Sequence, residues 1–520
     1  MSNRILGTLL CVTALLCVTT WEAAMASTFE FRHGPMALRF DQATGALVRI
    51  QYGERVIAET SADVPPISVL VGARGRTVSL EEMGLTRTVV TRSSPSPDVL
   101  GVTVRVGDYE IVERYRLFAD RPRLDRSVRL IYRGTETQQL RGLVFRTAGV
   151  KATPDGSYRF PKSWPPQGRR FADMVAGREQ QSPWGTLDPL LAQFAPNETV
   201  LWVSYGDDTP QTSVTEGDGT LEVRQSQDCQ GWLKPGEPQD IGFVTMEVIG
   251  ADYWGALPHL WEWMDSVGMR VPADRPDWIA EARLYSFHPG GTIGSDFHDL
   301  GGFRATMDLL FPALRRLNIT AIWMLPVEEG TVYNPWDFYG FMEGLGTGGE
   351  YRALVKQAHE MGYHVLQDSV PHGGLSNAPH NVAHPEWLVR REDGTVAHRY
   401  MPNDYANPEW QQFMARVSDH WVREYDVDGF RIDSAGGSSS YNWTANPPYQ
   451  RASLAGMSGG LKMVQAIRDA VKRAKPAEGA TLAEVESPRV LAISDLDYDF
   501  NFGITLCHAF RQMPAAEFVA

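Results

Sequence analysis

The feature that most constrains this chain is a change of hydrophobic period near Pro272. Before it, apolar residues recur at every second position. Val102, Val104 and Val106 alternate with Thr103 and Arg105, and Tyr115 and Leu117 alternate with Arg114 and Arg116. Such alternation puts one set of side chains on a buried sheet face and the other in solvent. Turn clusters such as Gly217-Asp218-Gly219 punctuate the strands. No helix is read before the end of this region, so residues 27–272 are expected to form an all-β sandwich.

After Pro272 short apolar runs alternate with helical stripes. Candidate strands are 282–287, 321–325, 364–370, 429–434, 481–485 and 498–502. Tyr351, Leu354, Val355 and Ala358 make one stripe; Trp410, Met414, Val417 and Trp421 make another; Leu461, Val464, Ile467 and Val471 make a third. Pro312 should kink or restart a helix over 303–317. Repeated strand–helix units imply a parallel sheet with right-handed crossovers. Residues 273–520 are therefore expected to be a (β/α)8 TIM barrel, truncated after about six units, with its chemistry at the carboxyl ends of the strands.

A net charge of -14 argues against partnership with nucleic acid or an anionic membrane. Residues 1–26 carry a short basic head at Arg4, an apolar run over 6–18 and a small-residue site at Ala24-Met25-Ala26. They read as a signal peptide, which implies a secreted or periplasmic protein with no membrane attachment after cleavage. Cleavage leaves Cys229 and Cys507, too few for a disulfide framework. Oligomeric state is not legible.

The strand ends supply the chemistry. The third candidate strand ends in Asp368, the fourth in Arg431-Ile432-Asp433, the fifth in Glu484 or Glu486. Arg431 and Asp433 are two apart, so they share a side of the sheet. Two facing carboxyls suit glycoside hydrolysis, in which one attacks while ionised and the other holds a proton for the leaving group. Arg431 favours an ionised Asp433, and the apolar Leu482-Ala483 setting favours a protonated Glu484. An ion-pair network without catalysis explains the same residues equally well. Gly456-Met457-Ser458-Gly459-Gly460 lacks the preceding strand that a serine nucleophile elbow needs. His359 and His364 show no metal-ligand spacing, and His359 reads as a surface or packing residue.

The segment Val427-Asp428-Gly429-Phe430-Arg431-Ile432-Asp433 resembles the nucleophile strand of the α-amylase family of glycoside hydrolases. Ala483-Glu484-Val485 resembles that family's acid/base strand, and Asp368-Ser369-Val370 its third-strand motif. Over 38–57 the chain resembles the opening of the galactose-mutarotase-like supersandwich that accompanies many sugar-cleaving barrels. The resemblance implies Asp433 as nucleophile and Glu484 as acid/base. It also implies Arg431 positioning Asp433, Asp368 holding Arg431, and Tyr333 stacking on the sugar. Trp336, close to Tyr333, and His372 are further substrate-binding candidates. The implied activity is retaining hydrolysis of, or transglycosylation from, α-glucosidic bonds in oligo- or polysaccharides, with no required cofactor.

Two departures stand out. His372 falls where the family has an Asn that often serves a calcium site, and Gly373 takes the place of the family's His. Calcium is therefore possible but unsupported, and no metal ligand is assigned. The family's His-Asp pair after strand seven has no counterpart, so the sequence is expected to be the front part of a longer protein; a chain truly ending at Ala520 is expected to lack meaningful activity. Two alternatives remain open: a catalytically inactive carbohydrate-binding protein with a degenerate barrel, and another retaining glycosidase such as an α-galactosidase.

Overall fold

The computed structural model describes residues 27–73, 76–160, 167–182, 189–206, 210–291, 301–436, 440–443, 458–485 and 487–498. The expected signal peptide, Glu486 and Cys507 lie outside the described residues, as does most of the expected sixth strand.

Alternation in the first region is realised as two antiparallel sheets, one of 11 strands and one of nine. Phe40, Ile50, Val69, Phe145 and Val223 of the first face Val104, Tyr115, Leu130 and Trp202 of the second in one shared core. The strand Glu198–Tyr205 breaks the alternation because both its faces are covered. Its Leu201 and Val203 pack under a helix, Tyr253–Ser266, through Tyr253, Ala256, Leu260 and Trp263. That helix corrects the all-β reading of 27–272. Asp252 starts it, its carboxylate accepting from the Gly255 N–H.

The second region is a six-stranded parallel sheet in chain order: Leu284–Phe287, Ala321–Met324, His364–Ser369, Gly429–Ile432, Ala480–Ala483 and Leu496–Asp497. Helices Gly348–Glu360, Pro408–Tyr425 and Ser458–Ala474 each pack on the next element of the series. Sequential parallel strands with right-handed crossovers put their helices on one face, which is how a barrel wall is laid down. Ring closure is not seen among the described residues, so the structure carries the barrel expectation only as far as this open wall. The last strand begins two residues before the expected 498, because buried Asp495 starts it, accepting from Thr481 N and pairing with Arg468.

Local chemistry sets the helix starts. Thr347 and Glu350 form a reciprocal capping box, and the Asn407 side chain accepts from Glu409 N and Trp410 N ahead of Pro408. Pro312 has the anticipated effect: a π-helical turn, Thr306–Leu310, interrupts the helix, which restarts at Phe311–Arg316.

The sandwich braces the loops beyond the third and fourth parallel strands. Arg141 pairs with Glu392 and lies 4.3 Å over the Trp443 ring. Tyr441 donates its hydroxyl proton to the Asp228 carbonyl at 2.6 Å.

Candidate active site

Register brings the polar residues together. Asp368 pairs with Arg431 across the third and fourth strands, and Ile432 pairs with Ala483 across the fourth and fifth. Asp433 and Glu484 each follow the last paired residue and so stand side by side. The backbone ladder continues through them: Asp433 N donates to Ser369 O at 2.8 Å, and Glu484 N to Ile432 O at 3.0 Å.

One guanidinium gathers three carboxylates. Arg431 Nη1 donates to Asp368 Oδ1 at 3.0 Å and to Asp433, while Nη2 reaches Glu484 Oε1 at 2.6 Å. A single rigid fork holding both acids keeps their bound oxygens within roughly 7 Å of each other. Arg431 and Asp368 are buried, whereas the Glu484 side chain is 27% exposed. Asp368 also accepts from Tyr333 Oη and Trp323 Nε1, each at 3.1 Å. The Arg431 guanidinium lies 4.8 Å from the Trp323 ring centre and 5.9 Å from that of Tyr498.

The two end carboxyls are pushed in opposite directions. Burial raises the Asp433 carboxyl, but the His372 imidazole and the Arg431 guanidinium outweigh it, and the group falls below the usual carboxylate range. Burial also raises Glu484; the Ser434 N–H and Arg431 oppose this, the Asp433 charge reinforces it, and the net shift is upward. The Ser434 N–H reaches Glu484 Oε2 at 2.8 Å because Ser434 adopts φ 44°, a left-handed turn directly after Asp433. Tyr333 is similarly strained at φ 58°. Non-glycine residues held in this region store strain that the surroundings must offset.

His372 is buried, and its Nε2 lies 2.9 Å from Asp433 Oδ2. Of the residues expected from sequence, Asp433, Glu484, Arg431, Asp368, Tyr333 and His372 converge. Trp336 is 56% exposed on the hairpin strand Asn334–Phe341 and makes no hydrogen bond to the cluster among the described residues. Sequence reasoning missed Trp323, whose inward place on the second strand was available from alternation, and Tyr405, which no local pattern marks. Four polar atoms here are buried without a hydrogen-bond partner among the described residues: Ser369 Oγ, His372 Nε2, Tyr405 Oη and Arg431 Nε. Each costs about 1–3 kcal/mol when left unsatisfied, which suits a rim completed by a polar ligand. Among the described residues, no group of three His, Cys, Asp or Glu is arranged to hold a metal ion.

Comparison with known proteins gives two partial likenesses. In sequence the chain is 26% identical over 246 residues to the 1,4-alpha-glucan branching enzyme GlgB of Rubrobacter xylanophilus, covering 42% of this chain and 32% of that one. It is likewise 26% identical over 237 residues to the Pseudomonas aeruginosa branching enzyme, covering 42% and 31%. The chain thus spans about a third of the length of the curated relatives it matches. In fold it resembles the alpha-N-acetylgalactosaminidase NagBb of Bifidobacterium bifidum, with a TM-score of 0.64 and 11% identity over 91% of this chain and 80% of that one. It also resembles the GH36 alpha-galactosidase AgaA of Geobacillus stearothermophilus, with a TM-score of 0.57 and 14% identity over 91% and 74%. No family model matches the sequence.

Proposed function

We propose that this chain carries the catalytic carboxyls of an exported, retaining glycoside hydrolase or transglycosylase acting on α-glucosidic bonds. The observation that carries the reading is the sharing of Arg431 by Asp433 and Glu484 at adjacent strand ends, with their proton affinities driven apart. Asp433, held ionised, attacks the anomeric carbon. Glu484, held protonated, donates to the departing oxygen and then withdraws a proton from the water or sugar that accepts the glycosyl group. Arg431 aligns both acids, Asp368 fixes Arg431, and Tyr333 offers a ring to the sugar. The branching-enzyme likeness supports α-glucan as substrate, and the small-residue site at Ala24-Met25-Ala26 supports export.

A second reading, retaining cleavage of α-galactosides, draws support from the sandwich-plus-parallel-sheet likeness, which runs over 91% of the chain. Rates on aryl α-glucosides and aryl α-galactosides separate the two. Glu484→Gln tests the acid: activated aryl substrates should lose far less rate than natural glycosides. Equal losses on both would move the acid role to another carboxyl.

A further inference from the structure

Resting on that reading, we infer that His372 is a positioning residue for Asp433: its Nε2–H, held beside Oδ2, orients the carboxylate for attack from the side opposite Arg431. The family resemblance places a sugar-contacting His one residue later, where this chain has Gly373. The structure turns the displaced imidazole towards the carboxylate instead.

Two successive left-handed glycines make that turn, Gly373 at φ 75° and Gly374 at φ 69°. Neither place admits a side chain. A Cβ on Gly373 would meet Asn403 Oδ1 at 2.0 Å, and one on Gly374 would meet Asn334 Oδ1 at 2.5 Å. The same turn fixes the tautomer. Gly374 N donates to His372 Nδ1 at 3.1 Å, so Nδ1 carries the lone pair and Nε2 carries the proton. The Nε2 proton is aimed off the line to Oδ2, so at 2.9 Å the contact is a close electrostatic one that leaves Oδ2 lone pairs clear for bond formation. The edge of the Tyr400 ring closes the other side of the imidazole, with centroids 5.1 Å apart.

The charged and titratable groups around Asp433 come from every neighbouring element: Arg431 on its own strand, Asp368 on the third, Glu484 on the fifth, Tyr333 from the hairpin, and Tyr400 and Tyr405 from the long loop. Arg431 is shared among three carboxylates and cannot neutralise Asp433 by itself. His372 supplies the remaining positive edge.

Two measurements on the full chain test this. In histidine-15N-labelled protein at neutral pH, two-bond proton–nitrogen spectra should show His372 protonated on Nε2, with a signal that shifts in Asp433→Asn. A proton on Nδ1 overturns the inference whether or not the protein is active. With 4-nitrophenyl α-glucoside or α-galactoside, His372→Ala should move the acid limb of kcat/KM up by about one pH unit. KM should change less than about twofold, and His372→Gln, whose amide can stand where Nε2 does, should restore the limb. A fixed acid limb with the loss confined to KM would make His372 a substrate contact and overturn the proposal. Full turnover in Asp433→Asn would instead sink the functional reading, which the tautomer result does not address.

Discussion

The strand Gly429–Ile432 has an aspartate at each end, and the two live in opposite worlds. At the amino end Asp428 accepts from Val365 N at 2.8 Å and from Lys475 Nζ at 2.8 Å, and lies 2.9 Å from His359 Nε2. One buried anion meets a lysine, an imidazole and a backbone donor, and both of its oxygens are partnered. At the carboxyl end one guanidinium serves three carboxylates, and polar atoms around it lack partners among the described residues. A cluster built for stability balances its charge and saturates its hydrogen bonds. A cluster built for chemistry leaves excess charge and open valences for the substrate to complete. Asp433 and Glu484 divide into an easy and a reluctant proton donor because burial and the Asp433 charge raise Glu484, while His372 and Arg431 lower Asp433.

Substitutions at the two ends should therefore separate activity from stability. Asp433→Asn should cut kcat by a factor of about 10,000 or more, while the thermal midpoint falls far less than on loss of Asp428, because the amide oxygen can still accept from Arg431. A cold-stable variant with near-native rates would break the contrast. Asp428→Ala should do the reverse. Leaving Lys475 and His359 without their buried anion should cost roughly 3–5 kcal/mol in urea unfolding, with specific activity of the folded fraction unchanged. If that variant lost activity without stability, the assignment of the two ends would be inverted.

The smallest effect is a pH signature at the amino end. Burial raises the Asp428 carboxyl, but His359 and Lys475 more than reverse this and pull it below 3.8. Its contribution is present above the unfolded value and is lost as pH falls through the folded one. His359 is raised above 6.5, first by its contact with Asp428, so its contribution is full below that value and lost as pH rises through the folded one. The stability gap between the native chain and His359→Ala should therefore be widest near pH ~5 and shrink towards pH ~8. A gap that grew with pH would contradict the pairing. It also corrects the reading of His359 as a surface or packing residue, since a bare helical histidine gives no hint of a partner 69 positions away.

Much of the site was legible because period and chemistry coincide on a parallel sheet. Once 364–370, 429–434 and 481–485 are read as consecutive strands, Asp368, Asp433 and Glu484 must gather at one rim. The helix Tyr253–Ser266 was not legible, because its Trp residues and Pro258 follow a strand without a change of composition. Tyr405 and the His372 contact were hidden for another reason: they sit on a long loop whose path depends on backbone turns and on bracing by Arg141 of the sandwich through Glu392. No periodicity encodes such tertiary support.

The most direct test of the proposed function is to incubate the full chain with fluorinated α-glucosyl and α-galactosyl fluorides and map any labelled peptide. One covalent adduct is expected, on Asp433, absent in Asp433→Asn. An adduct on any other carboxylate, or products released with inverted anomeric configuration and no adduct, would contradict it.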